Sequence, residues 1–162
     1  MYKKIVFAMI LLALSITISY GYDIEQADYY LLNENTGYSV VINDEADLLS
    51  GDEITLLSND MFPLTEFGNI VFLSTTYPST SQHKIANDYY YELFGTASGS
   101  VLLIDMYERI VYIYSDGSNL KTITSSKAEI ITDNIYQYLS AKKYYDGASV
   151  AFSQIYTLLN RW

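Results

Sequence analysis

The chain has 162 residues, with 9 Lys and Arg against 19 Asp and Glu, a formal net charge of −10 and no cysteine. Disulfides, thiolate metal centres and anchoring at a lipid-modified Cys are thereby excluded. The acidic balance works against nucleic acid and anionic lipid, which are bound by Lys and Arg neutralising phosphate.

At the N-terminus, Met1-Tyr2-Lys3-Lys4 is a positive n-region and Ile5 to Ile18 an apolar h-region of 14 residues. Ser19-Tyr20-Gly21 then places small residues at the −3 and −1 positions of a cleavage site. The apolar run is shorter than the roughly 20 residues of a spanning helix. The segment reads as a cleavable export signal, with an uncleaved N-terminal anchor as the rival, and the destination lies outside the cytoplasm. Cleavage after Gly21 takes Lys3 and Lys4 and no acid, leaving 7 basic and 19 acidic residues and a formal charge of −12. That leaves about 140 residues, the size of one domain with a substantial core.

Strand and helix periods alternate from there. Tyr29 to Leu32 and Tyr38 to Ile42 are predicted to form a hairpin through residues 33–37, with Gly37 supplying a positive φ. Ser50 and Glu53 form a capping box ahead of a helical stripe of Ile54, Leu57, Met61 and Leu64, and Pro63 ends or kinks that helix near Met61. Ile70 to Leu73 is a buried strand. Ile85, Ala86, Tyr89 and Leu93 line a second helix stopped by Gly95. Val101 to Ile104 is the next strand, and the short turn Met106-Tyr107-Glu108 makes the strand from Arg109 to Tyr114 its antiparallel neighbour. Asp116-Gly117 reads as a turn. A third helix carries Ala128, Ile131, Ile135 and Tyr138 behind a Ser126–Glu129 capping box, with Lys142-Lys143 at its end. Gly147 introduces a last helix with Ala148, Phe152, Ile155 and Leu159 inward. The order (β)βαβαββαα implies an α/β fold, a three-layer α/β/α sandwich around a mainly parallel, mixed four-stranded sheet.

These segments, in this order, resemble the TPM domain family. Asp44, Ala46, Leu49 and Ser50 fit its opening signature, Gly68 to Leu73 its glycine-led second strand, and Ala86 to Phe94 the following helix. Val101 to Ile104 with Glu108-Arg109, then Ile123-Thr124 with Ala128 and Ile130-Ile131, then Tyr144-Tyr145 with Gly147, complete the match. The runs at 103–106, 114–117 and 131–134 (LIDM, YSDG, ITDN) are similar to a bacterial extracytoplasmic subgroup. Residues 1–21 are then the signal, 22–37 an N-terminal extension and 38–160 the TPM domain. The family includes acid phosphatases, calcium-binding members and non-catalytic accessory modules, so the resemblance leaves the reaction open.

The residues themselves narrow the chemistry. Parallel strands would bring Asp44, Asp47, Asp105 and Glu108 to one sheet edge, where open α/β sheets bind ligands. Several carboxylates with few cationic neighbours suit a hard cation, Ca²⁺ or Mg²⁺; solvated turn and cap carboxylates are the plainer reading. Metal-assisted attack of water on a phosphate would use Arg109 to steady phosphoryl oxygens, although Arg109 could equally pair with Glu108 or Asp105. Asp116 falls at the other end of its strand and is noted only as a family-motif position. His83 is the single histidine, so zinc sites and Ser-His-Asp triads lack their parts. The run Gly95 to Ser100 has no P-loop Lys and leads into a strand, hence a loop. Two expectations result. One is a cation-binding domain with weak metal-assisted phosphatase activity. The other is an accessory module docking on an envelope membrane protein through some of its 18 tyrosines. Membrane contact would come only through an uncleaved N-terminal segment or through that partner.

Overall fold

The computed structural model describes residues 23–79 and 81–161; the export signal expected over residues 1–21 lies outside them. Five strands make one sheet in the order β1-β2-β3-β4-β5: β1 (Tyr29–Leu32), β2 (Ser39–Asp44), β3 (Asn69–Thr75), β4 (Gly99–Asp105) and β5 (Ile110–Asp116). Strands β2, β3 and β4 are parallel, and β1 and β5 run antiparallel at the two edges. The mixed α/β class is as the periods predict, but the sheet has five strands and not four. The N-terminal hairpin is fully paired, from Tyr29 opposite Ile42 to Leu32 opposite Ser39. Gly37 turns it at φ 76°.

Among the described residues five α-helices cover the sheet: α1 (Gly51–Met61), α2 (Gln82–Phe94), α3 (Gly117–Thr122), α4 (Ser125–Ser140) and α5 (Tyr144–Leu159). Alternation along each strand separates two cores. Val40, Ile42, Ile70, Phe72, Leu102, Ile104 and Ile113 meet Leu57 and Met61 of α1 and the inward residues of α4 and α5 on one face. Val41, Val71, Leu73, Val101 and Leu103 meet Ala86, Tyr89 and Tyr90 of α2 on the other. Because β2, β3 and β4 lie side by side in chain order while α1 and α2 cover opposite faces, their two crossovers have opposite hands. One of them therefore departs from the right-handed rule that nearly all such units obey.

Local signals set most boundaries. The Ser50–Glu53 capping box forms both of its bonds, α1 stops at Met61 ahead of Pro63, and Gly95 caps α2 at φ 59°. Three expectations are corrected. The Ser126–Glu129 box does not form; Thr124 is the N-cap of α4, because buried Ile123 and, four residues on from the cap, Ala128 pack into the same core and fix the entry earlier. The last helix starts at Tyr144, not at Gly147. Gly147 instead lets α5 approach α4: a Cβ there would meet Leu139 Cδ2 at 2.9 Å. Asp116-Gly117 is not a plain turn, for Asp116 is the N-cap of α3, its side chain accepting from the Gly117 N–H.

Candidate functional site

The carboxyl ends of β2, β3 and β4 form one rim. Asp44 is level with Ser74, and Thr75 with Asp105, so Asp44 and Asp105 share the edge with β3 between them. Strand parity sends them to opposite faces. Asp44 follows Val40 and Ile42 toward α1, whereas Asp105 follows Val101 and Leu103 toward α2.

Both carboxylates are taken up by the fold. Asp44 Oδ1 accepts from the Ser74 hydroxyl at 2.5 Å, and Oδ2 accepts from the Leu49 N–H at 2.7 Å. Ser74 Oγ in turn accepts from the Ala46 N–H at 3.0 Å, which closes the loop leading into α1 over the end of β3. Asp105 is fully buried. Its Oδ1 accepts from the N–H groups of Tyr107 and Glu108, both at 3.0 Å, and its Oδ2 from Gln82 Nε2 at 3.1 Å. Asp47 is exposed in a left-handed conformation, φ 52°, and Glu108 is exposed in the β4–β5 turn. Among the described residues no three His, Cys, Asp or Glu side chains come together as a metal site. The geometry thus brings Asp44 and Asp105 to one edge but not to one point, and it does not fit a preformed chelating set. Asp28, which the periods gave no reason to notice, joins this rim by accepting from the Asp44 N–H at 2.7 Å.

Arg109 is not the first residue of β5, as expected, but the last of the turn, at φ 58°. It helps to line a cavity of about 500 Å³ on the α4–α5 face of the sheet. Ile104, Met106, Ile110, Val111 and Leu139 supply the apolar lining, with Tyr136, Ser140, Lys142 and Tyr144 around them. Lys142, read in the sequence only as a helix-terminal charge, occupies the α4–α5 turn at φ 59°. The Lys142 N–H bonds the Leu139 carbonyl and the Lys143 N–H the Tyr138 carbonyl, a Schellman closure in which glycine is usual.

Asp116 sits at the opposite end of the sheet. Its Oδ2 accepts from Tyr114 Oη at 3.0 Å, and burial together with this carboxylate pushes the Tyr114 hydroxyl up to about 12. His83 stands edge-on to Tyr112 and Tyr114, with Nδ1 3.1 Å from the Tyr112 hydroxyl. Among the described residues the exposed tyrosines do not gather on one face: Tyr30, Tyr77, Tyr91, Tyr107 and Tyr136 are spread over β1, the loop after β3, α2, the β4–β5 turn and α4. No helix of the described residues is long and apolar enough to cross a membrane.

The family profile of the TPM domain matches residues 42–158. Among solved structures, the N-terminal domain of a protein from P. gingivalis is similar at TM-score 0.64 with 13% identity, covering 74% of this chain and 81% of that one. A protein from the psychrophilic bacterium Bizionia argentinensis is similar at TM-score 0.54 with 12% identity, covering 68% and 83%. At such identities the likeness concerns the fold. No curated protein matches the sequence significantly.

Proposed function

Starting from a chain that belongs to the TPM domain family, we propose that it acts outside the cytoplasm as a non-catalytic binding module for a membrane protein of the cell envelope. The observation that carries this reading is the commitment of the rim carboxylates to the fold. Each oxygen of Asp44 and of Asp105 accepts a hydrogen bond from the protein itself, and the two side chains leave the sheet on opposite faces. A carboxylate that acts as base or metal ligand needs a lone pair open to the reacting group, and burial of Asp105 (0% exposed) and Asp44 (8%) leaves little of either side chain open. The export reading rests on the n-, h- and c-regions of residues 1–21.

Cation binding with metal-assisted phosphate hydrolysis is the alternative, and one set of measurements separates the two. The protein without residues 1–21 is expected to show no turnover of p-nitrophenyl phosphate with Ca²⁺ or Mg²⁺, and a melting temperature that calcium leaves unchanged. Asp44→Ala is expected to lower the melting temperature equally with and without calcium, by about 2 kcal/mol of stability, because the Ser74 hydroxyl and Leu49 N–H lose their acceptor. A calcium-dependent rise in wild-type melting temperature, as mass action demands of a ligand that binds only the folded state, would overturn the proposal if Asp44→Ala or Asp105→Asn removed it. For the partner, a photo-crosslinker at exposed Tyr136 in intact cells is expected to capture an integral membrane protein. Capture of soluble proteins only would count against the envelope reading.

A further inference from the structure

The cavity between the β4–β5 turn and the α4–α5 turn is not explained by the fold. Its volume of about 500 Å³ lies within the roughly 300–1,000 Å³ range of small-molecule sites. Uncovered apolar surface borders it, for Ile110 is 42% and Tyr136 66% exposed. Its polar groups have an unusual sign for this chain. Arg109 and Lys142 both contribute to the lining, in a protein whose net charge is −10. Neither has an ion-pair partner among the described residues. The acid in the lining, Asp105, turns its carboxylate to the other face, toward Gln82.

The backbone at the two cations adds a second observation. Arg109 and Lys142 adopt φ 58° and 59°, a conformation that costs a side-chain-bearing residue about 1 kcal/mol and that glycine takes freely. Both turns therefore carry a long cation where the local conformation favours no side chain at all.

We infer that this cavity binds a small amphiphile with one anionic head, a carboxylate of the fatty-acid type. The apolar body lies against Ile104, Val111 and Leu139, and the head meets the Arg109 guanidinium and the Lys142 ammonium. Arg109 offers paired N–H donors in a planar fork suited to a carboxylate, and Lys142 adds a point charge. The inference goes beyond the partner-binding reading and does not depend on it, since it concerns a small ligand and not a protein.

The test is an NMR titration with decanoate, decanol and inorganic phosphate, in the wild-type protein and in Arg109→Gly and Lys142→Gly. Glycine removes each cation while relieving the positive φ, so both variants are expected to melt no lower than wild type. Decanoate is expected to saturate, with shifts at Leu139, Val111 and Tyr144. Decanol and inorganic phosphate are expected to bind at least about fivefold more weakly, and each glycine variant to weaken decanoate about fivefold, the scale of one partly exposed charge contact. Decanol binding as tightly as decanoate would overturn the anionic head, and phosphate binding as tightly would overturn the apolar body. An absence of saturation, or shifts confined to other parts of the protein, would overturn the site.

Discussion

Tyr114 shows how one side chain ties local chemistry to solution behaviour. It is a core residue of the α2 face, packed with Tyr90 and only 8% exposed. Its hydroxyl lies 3.0 Å from both Asn87 Oδ1 and Asp116 Oδ2. Burial disfavours the phenolate, and the Asp116 carboxylate holds the proton in place, so its pKa rises from 10.0 to about 12; burial raises Tyr90 as well. The sign of the linkage follows from the raised value. Below pH 10 the hydroxyl is protonated in the folded and the unfolded chain, and its contribution is fully present. Between pH 10 and 12 only the unfolded chain ionises, and stability is lost. Tyr114 alone is expected to remove about 2 kcal/mol across that window. Denaturant unfolding at intervals from pH 9 to 12 should show this loss, and Tyr114→Phe, which keeps the ring, should reduce it. An unchanged alkaline slope in that variant would show that the hydroxyl is not held as described.

At the scale of elements, the helices with an apolar stripe and the interior strands were legible because their periods are clean. The boundaries that differ have local causes. Three consecutive hydroxyl residues, Thr124-Ser125-Ser126, each offered an N-cap, and the packing of Ile123 decided among them. The short helix α3 hid behind an Asp-Gly pair that equally signals a turn. For the site, the sequence placed Asp44 and Asp105 at one sheet edge but could not place their faces. Each strand has its own alternation, and only the register between strands shows that Asp44 lies with Ser74, and Asp105 with Thr75. The cavity was illegible because it joins the hairpin turn to a helix turn more than thirty positions later. The hands of the crossovers were equally hidden. The ladder pairs β3 with β4 from Asn69 opposite Gly99, and Gly68 and Gly99 leave room for the backbones to come close at its start. A Cβ on Gly99 would run into the Asn69 carbonyl oxygen and the Tyr90 hydroxyl. Gly99→Ala is therefore expected to destabilise by about 3 kcal/mol, measured by urea unfolding. An effect no larger than an exposed strand Gly→Ala change would refute the close approach.

For the whole molecule, the decisive feature is the layout of the sheet edges. β2 is buried along nearly its whole length, from Ser39 to Ile42, and carries the apolar run Val40-Val41-Ile42. It belongs inside a sheet, and β1 is what makes it interior, pairing with it residue for residue. β1 itself is short and mostly exposed. The residues flanking it anchor the rest: Asn33 Nδ2 donates to Thr65 Oγ1 at 2.8 Å, and Asp28 accepts from the Asp44 N–H at the rim. Deleting residues 23–37 would leave β2 as an open apolar edge of unpaired N–H and C=O groups, which templates pairing with another chain. It would also leave Thr65 and the end of β2 without these partners. The shortened protein is expected to form soluble oligomers or precipitate, and to melt well below the longer form, as read by light scattering and thermal unfolding at matched concentration. A truncated protein that stayed monomeric and melted within a few degrees of the longer one would mean that β1 is an appendage to a four-stranded domain, and not its fifth strand.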